Sequence, residues 1–434
     1  MSTQPAGSPG PGEPTRPVGQ AGAAEPTGAA PASGAAPAPG AAPAPAPTPT
    51  SASAPAQFTQ DAFEKAFTDA EVAIGRFNLA VFGKTGVGKS TLVNAIFGES
   101  VAATGIGRPV TLGSHLYVHR TGKLGIYDTQ GLEVGRDSTR IISELQAFID
   151  SSRVLPFAEQ VHLAWYCVRA TDRRFEDTEA EFIRELAGLG LPVILVLTQV
   201  PGRRDAAGQL FVAPDVLELA SQVQQMGLPI HAGHPVLVNA LADPFTGVEQ
   251  HGLLDLLDAT FRCAPQESTE ALVAAQKIDP ARKAAAAEKA VSTATAAATA
   301  AGFTPIPFAD AAVLVPIQIG MMAKIANIYD IPMQRATVAS LAATTVTTQA
   351  GRAAATGLLK LVPGVGTLAG GAITGTVAGT VTFAVGTAWH RVCIGMAEGK
   401  YQTVTGTLDS QMVQKVFNEE VASIVRRRGL GRTR

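Results

Sequence analysis

Eight residues, Gly83-Lys84-Thr85-Gly86-Val87-Gly88-Lys89-Ser90, have the types and spacing that suit phosphate chemistry. They fit the pattern G-x-x-x-x-G-K-[ST], the phosphate-binding loop (P-loop) of nucleoside triphosphate sites. Glycines let consecutive backbone N–H groups turn toward one phosphate. Lys89 is expected to reach the β- and γ-phosphates and act in the chemistry, and the Ser90 hydroxyl to ligate Mg²⁺. Lys84, Thr85, Val87 and Thr91 complete the cradle. Such a loop needs a strand before it and a helix after it. Residues 77–82 read as a short buried strand and residues 91–97 as the start of a helix, whose N-terminus adds partial positive charge.

A second group is Asp128-Thr129-Gln130-Gly131, of the form D-x-x-G, at a strand end about forty residues beyond the loop. Asp128 can hold Mg²⁺, usually through water, and the Gly131 N–H can sense the γ-phosphate. Between the two motifs lies Arg108-Pro109-Val110-Thr111. Thr111 is the candidate to close over Mg²⁺ and γ-phosphate, with Thr104 as its rival.

The elements that would position these groups follow from periodicity. Phe63, Phe67, Ala70 and Ile74 mark an amphipathic helix over 58–74. Strands read at 116–118, 124–127, 161–168, 193–197 and 236–238, and helices at 138–150, 177–189, 214–226 and 251–262. This alternation predicts a mostly parallel sheet with helices on both faces. Ligands of such sheets sit at the carboxyl ends of the strands, where each motif falls.

The run of residues 83–98, Gly-Lys-Thr-Gly-Val-Gly-Lys-Ser-Thr-Leu-Val-Asn-Ala-Ile-Phe-Gly, resembles the Era-like and septin-like branch of the translation-factor-type GTPases. The resemblance covers residues 76–262 and implies GTP/GDP as ligand, Mg²⁺ as cofactor and GTP hydrolysis. Two departures stand out. Leu132 follows Gly131 where Ras-like enzymes place a water-orienting Gln, so Gln130 is the candidate substitute. Gly86 stands where potassium-activated relatives carry Asn. The base-reading motif [N/T]-K-x-D reads here as Thr198-Gln199-Val200-Pro201. Thr198 matches, and the stem of Gln199 could cover the base. The Asp is missing, and Asp205 lies four residues beyond its place. The last motif reads Val238-Asn239-Ala240, with the Ala240 N–H as candidate donor to guanine O6. Losing that Asp lowers guanine selectivity, which leaves ATP open beside GTP.

The whole chain bounds these readings. Its 434 residues allow two or three domains, and a net charge of -2 gives no basic field for nucleic acid. Cys167, Cys263 and Cys393 lie far apart and read as reduced thiols of a cytoplasmic protein. Residues 1–57, almost wholly Pro, Ala, Gly, Ser and Thr, read as a disordered tail rather than a signal peptide.

The domains expected are the tail (1–57), a G domain (58–265), a helical linker (266–300), an apolar all-α domain (301–405) and an amphipathic helix with an Arg-rich end (406–434). Residues 302–329, around Gly302-Phe303-Thr304-Pro305-Ile306-Pro307-Phe308-Ala309-Asp310, resemble the C-terminal domain of unknown function attached to bacterial Era-like GTPases. Uncharged runs follow at 336–350 and 361–389. The second is long enough to span a bilayer, which needs about 20 residues. Gly371, Gly375 and Gly379 give it the spacing of close-packed helices. A membrane-embedded hairpin and a helical bundle both fit, as does lipid contact at the inner face of the cell membrane. Met412, Val413, Val416, Phe417, Val421, Ile424 and Val425 mark one face of a last helix, before Arg426-Arg427-Arg428. That suits an anionic membrane surface or a helix C-terminus in solvent.

Together these features predict a GTP-binding switch that hydrolyses slowly and docks its helical half on a membrane or partner. A second copy, through a G-domain homodimer, could supply a missing catalytic group. An ATPase or low-turnover scaffold, and an RNA- or ribosome-associated GTPase, are the alternatives.

Overall fold

The computed structural model describes residues 60–98, 106–111, 114–128, 138–302, 310–331, 375–403, 406 and 408–430. Outside them lie the tail 1–57, Thr104, the Gln130-Gly131-Leu132 segment, the run 336–350 and the first part of the run 361–389.

Helix α1 (Gln60–Ile74) precedes a sheet built from β1 (Phe77–Phe82), β2 (Ile106–Thr111), β3 (Ser114–Val118), β4 (Leu124–Asp128), β5 (Leu163–Arg169), β6 (Val193–Thr198) and β9 (Val236–Leu237). The strand order is β2-β3-β4-β1-β5-β6-β9. Strands β4, β1, β5, β6 and β9 run parallel, while β2 and β3 are antiparallel at one edge. A separate hairpin pairs β7 (Gly202–Arg204) with β8 (Leu210–Val212).

All residues of β1 and β6 are buried, as central parallel strands require. Alternate residues serve opposite faces. Leu79, Val81, Trp165, Cys167, Ile194 and Val196 pack beneath α2 (Lys89–Phe97), α6 (Leu253–Cys263) and α7 (Thr269–Ala275). Ala80, Phe82, Tyr166, Val168, Leu195 and Leu197 pack beneath α3 (Ser138–Ser152), α4 (Asp177–Gly188) and α5 (Pro214–Gln225). The expected doubly covered, mostly parallel sheet is present.

The C-terminal half is all-α, as expected. It comprises α8 (Pro280–Gly302), α9 (Asp310–Ile328), α10 (Gly375–Ala397) and α11 (Ser410–Leu430). Trp389 on α10 is its centre. Its indole donates to Met322 O on α9 at 2.8 Å. Edge-to-face contacts reach Phe63 of α1 and Phe417 of α11, with centroids at 6.5 and 6.3 Å. Such pairs favour one relative orientation of the rings and so fix the angle between helices.

Several expectations need correcting. Helix α1, placed with the G domain, buries Phe63 and Phe67 in the helical core, and Asn327 Nδ2 of α9 donates to Phe67 O. Residues 266–300 are no free connector. α7 covers the sheet with Ala271, Leu272 and Ala274, while Val273 joins the helical core. α8 buries Ala287, Ala290, Val291 and Ala294 there. The apolar face of α11 is covered as well, through Val413, Phe417, Ile424 and Val425, so it is not a free membrane face.

Among the described residues no helix is long and apolar enough to cross a membrane. The described part of the run 361–389 lies in α10, whose small residues serve packing within the chain. A Cβ on Gly379 would sit 2.1 Å from Thr299 Oγ1 of α8.

The two tryptophans, Trp165 in the sheet and Trp389 in the bundle, allow each half to be followed alone. In a Trp165→Phe background, Phe417→Ala should lower the stability reported by Trp389 fluorescence by about 3–5 kcal/mol, the usual cost of a buried Phe truncation. An unmoved urea midpoint would contradict the packing of Phe417 on Trp389.

Candidate functional site

The strand order places the site. β1 lies between β4 and β5, so crossovers leave it in both directions and a crevice opens at its carboxyl end. Residues 83–88 occupy that position. Gly83 has φ 131°, and a Cβ there would lie 2.2 Å from Cys167 O on β5. Only a residue without a side chain can let the loop pass so close. Gly86 and Gly88 also lie in the left-handed region, with φ 79° and 97°. Helix α2 starts at once, with Gly88 as its N-cap and no side chain capping it. Its first N–H groups therefore have no partner inside the helix.

Other segments brace the loop. Thr198, buried at the end of β6, donates from Oγ1 to Val87 O at 2.6 Å and reaches Val168 O at 3.2 Å. Gln199 follows with φ 52°, an uncommon conformation for a residue with a side chain, and its Nε2 donates to Gly86 O at 3.2 Å. Arg169, at the end of β5, also donates to Gly86 O and faces Asp172 at 3.7 Å. Lys84 crosses to Glu176 at 2.8 Å and Glu179 at 3.4 Å. Partial burial disfavours its charge, but the hydrogen bonds and charges of these two acids outweigh that and raise its pKa. Glu176 and Glu179 also form the capping box of α4, so the loop is tied to that helix.

Sequence reasoning missed Arg169, Glu176 and Glu179. The signal for Arg169 was its place directly after a fully apolar strand. The acids had no such mark, because their partner is remote in sequence.

The predicted residues separate into three sets. The first lies toward the carboxyl ends of the parallel strands. Lys89 Nζ donates to Gly83 O at 2.8 Å and Lys84 O at 3.1 Å, folded back over its own loop. Ser90 and Thr91 are exposed on the first turn of α2. Asp128 ends β4, in register with Val81 of β1 and His115 of β3. Thr111 was read in a loop; it is instead the last residue of β2, paired with Ser114. Its backbone thus lies at the same sheet end as Asp128, across β3.

The second set makes contacts within its own loops. Asn239 Nδ2 donates to Leu241 O at 2.7 Å and Glu249 O at 2.8 Å, so this side chain shapes its own loop. Ala240 offers its carbonyl to Gln250 Nε2. Asp205 accepts from the N–H groups of Ala207 and Gln209 at 2.9 and 2.8 Å, closing the turn of the β7–β8 hairpin. It is therefore not the missing base-reading carboxylate. Beneath the Thr198–Pro201 segment, His251 donates from Nε2 to Val200 O at 3.1 Å. Burial lowers its pKa. The third set, Gln130 and Gly131, lies outside the described residues.

This arrangement can hold a polyphosphate by backbone N–H groups and one lysine. The Ser90 hydroxyl, exposed at the start of α2, is a hard oxygen donor of the kind Mg²⁺ prefers.

Comparison with known proteins agrees with this geometry. Residues 78–199 match the family model described as 50S ribosome-binding GTPase. Residues 267–422 match the domain of unknown function DUF697. Magnetosome membrane protein 22 of Magnetospirillum gryphiswaldense is 39% identical over 94 residues, 21% of this chain and 48% of that protein. GTPase Der of Nitrobacter winogradskyi is 29% identical over 199 residues, 45% of this chain and 37% of that protein. The chain thus spans less than half the length of these curated relatives.

Among solved structures, Era of Aquifex aeolicus bound to GDP·AlF4⁻ aligns over 51% of this chain and 67% of its own, at 19% identity and a TM-score of 0.29. Era in complex with MgGDPNP and part of 16S ribosomal RNA aligns over the same shares at 19% identity and a TM-score of 0.30. A P-loop GTPase domain followed by a DUF697 domain rests on the two family matches and the strand order.

The cradle yields a direct test. Gly83→Ala forces a strained conformation against Cys167 O, at a cost of about 1–3 kcal/mol. Triphosphate affinity should fall roughly ten- to a hundredfold in a fluorescent nucleotide titration, with helical content unchanged. Equal affinity would contradict the close approach of loop and strand.

Proposed function

We infer, from a chain that joins a P-loop GTPase domain to a helical DUF697 domain, that this protein binds GTP with Mg²⁺, hydrolyses it slowly and uses the nucleotide state to bias the helical half toward a partner. The observation that carries the reading is the braced glycine loop at the end of β1, with Lys89 and Ser90 at the start of α2. Mg²⁺, when bound, neutralises charge on the phosphate oxygens. Ser90 and Asp128 would hold it, with Thr111 closing from the edge of the sheet. Lys89 would leave the Gly83 and Lys84 carbonyls for the β/γ-phosphates.

Slow turnover follows from what surrounds the loop. Leu132 cannot orient water, which leaves that role to Gln130. Arg169 is committed to Gly86 O and Asp172, so it does not serve as a cis arginine finger. A second copy meeting the G domain would supply the missing group.

GTP is the nucleotide that the domain implies. Guanine selectivity is nonetheless expected to be weak, because Pro201 stands where a carboxylate would accept from the base and Asp205 is held in its own turn. This favours an ATP-tolerant site as the second reading. For the helical half, a protein partner in the cytoplasm fits better than lipid, since the apolar faces of α10 and α11 are covered within the chain. The net charge of -2 argues against RNA.

Lys89→Ala tests the reading. Removing this charge should cost about 2–5 kcal/mol of triphosphate affinity with the fold intact, and wild-type turnover should lie below about 1 per second. Unchanged affinity, or fast hydrolysis by dilute monomer, would overturn it.

A further inference from the structure

Away from the P-loop, a cleft of about 1040 Å³ opens between the β3–β4 turn, the start of α8 and the ends of α9 and α10. This is the upper end of the roughly 300–1,000 Å³ usual for small-molecule sites. Its walls are of two kinds. Ile331, Ile394 and Met396 make one side apolar, and Arg120, Lys277 and Lys283 make the other cationic.

The acids that line it are already engaged. Asp330 takes Lys277 at 2.9 Å and Lys123 at 3.6 Å, and Glu398 takes Lys400. Two cations are not matched in this way. Arg120 is exposed on the turn, with no ion pair or hydrogen bond among the described residues. Lys283 is only 7% exposed, yet its ammonium meets neutral acceptors alone, Ala274 O at 2.7 Å and Ile328 O at 2.8 Å. An ammonium has three donors, so one lacks an acceptor among the described residues. A buried cation without a carboxylate is costly, and an anion in the cleft would offset that cost.

We propose that this cleft binds an anionic amphiphile, with a carboxylate or phosphate head held by Arg120, Lys277 and Lys283 and an apolar body along Ile331, Ile394 and Met396. The cleft shares no lining residue with the P-loop. A proton signature accompanies it. Burial lowers the pKa of Lys283 to about 7, Lys277 and Lys123 add to the fall and Asp330 opposes it. The groups around it are Lys123, Arg120 and His119 on the turn, Lys277 before α8, Tyr329 and Asp330 after α9, and Glu398 after α10. A bound anion favours the charged amine, so affinity should decline as pH rises above about 7, where binding must take up a proton.

The probes are decanoate, decyl phosphate and uncharged decanol, titrated calorimetrically into full-length protein saturated with Mg-GDP. We expect one site per chain for both anions and at least about tenfold weaker binding of decanol, the scale of a charged hydrogen bond. Arg120→Glu, which removes no described contact, and Lys277→Ala should each weaken decanoate about tenfold. Lys89→Ala should still bind both anions at one site per chain, which separates this site from the P-loop. Decanoate affinity should be higher at pH 6.5 than at pH 8.5.

Vesicles containing phosphatidic acid distinguish the source. Sedimentation with them that Arg120→Glu abolishes indicates a lipid headgroup; binding of free decyl phosphate alone indicates a soluble ligand. Equal affinity for decanol, no effect of Arg120→Glu and Lys277→Ala, or loss of binding in Lys89→Ala would overturn the proposal.

Discussion

One carboxylate, Asp330, ties three segments that are distant in sequence. It accepts Lys123 from the β3–β4 turn and Lys277 from the link between α7 and α8, and itself ends α9. The backbone supports this placement. Ile331 N donates to Ala326 O and Asp330 N to Asn327 O, which closes α9 with Asp330 in the left-handed region at φ 56°. Glycine would adopt that conformation without strain, so the aspartate is explained by its charge. Lys123 is 3% exposed, and without Asp330 it would be a buried cation with no ion-pair partner among the described residues, a loss of up to about 3–5 kcal/mol.

The same joint leads to the nucleotide loop. Lys277 N donates to Ile96 O at 2.8 Å, in the last turn of the helix that begins at Lys89. Helix α7 lies on the sheet through Leu272 and on the bundle through Val273. A shift of α2 when phosphate binds would therefore reach α8 and α9 through packed backbone and a salt bridge. Lys283 adds a second fastening, since its amine bonds the carbonyl ends of both α7 and α9. A cation is favoured at such helix ends.

Much of this was legible in the sequence. Motif and context together placed the P-loop, because the glycines, the lysine and the flanking strand and helix each answer one physical need. Alternation of apolar runs gave the parallel sheet. What periodicity could not give is the partner of a face. Phe63 and Phe67 announced a buried stripe, but only the structure shows it against α9 and α10. Small residues at 375 and 379 announced close packing, which lipid-embedded and protein-buried helices share; here the neighbour is α8. Residues 266–300 read as a linker because alanine carries little hydrophobic contrast. Lys283 was silent, since lysines are mostly exposed and nothing local marks one that is not. Gln199 was read as a cover for the base, and its left-handed backbone and bond to Gly86 O could not be foreseen from residue type.

Control of the helical half by nucleotide requires transmission from the loop at Lys89 to the bundle. Amide hydrogen exchange of full-length protein, compared between Mg-GDP and a non-hydrolysable Mg-GTP analogue, measures it directly. Exchange should differ in residues 269–284 and 324–331 as well as around residues 83–98. Identical exchange in the first two segments, with a clear change at the P-loop, would mean that the nucleotide is bound but not read by the helical half, and would contradict the account.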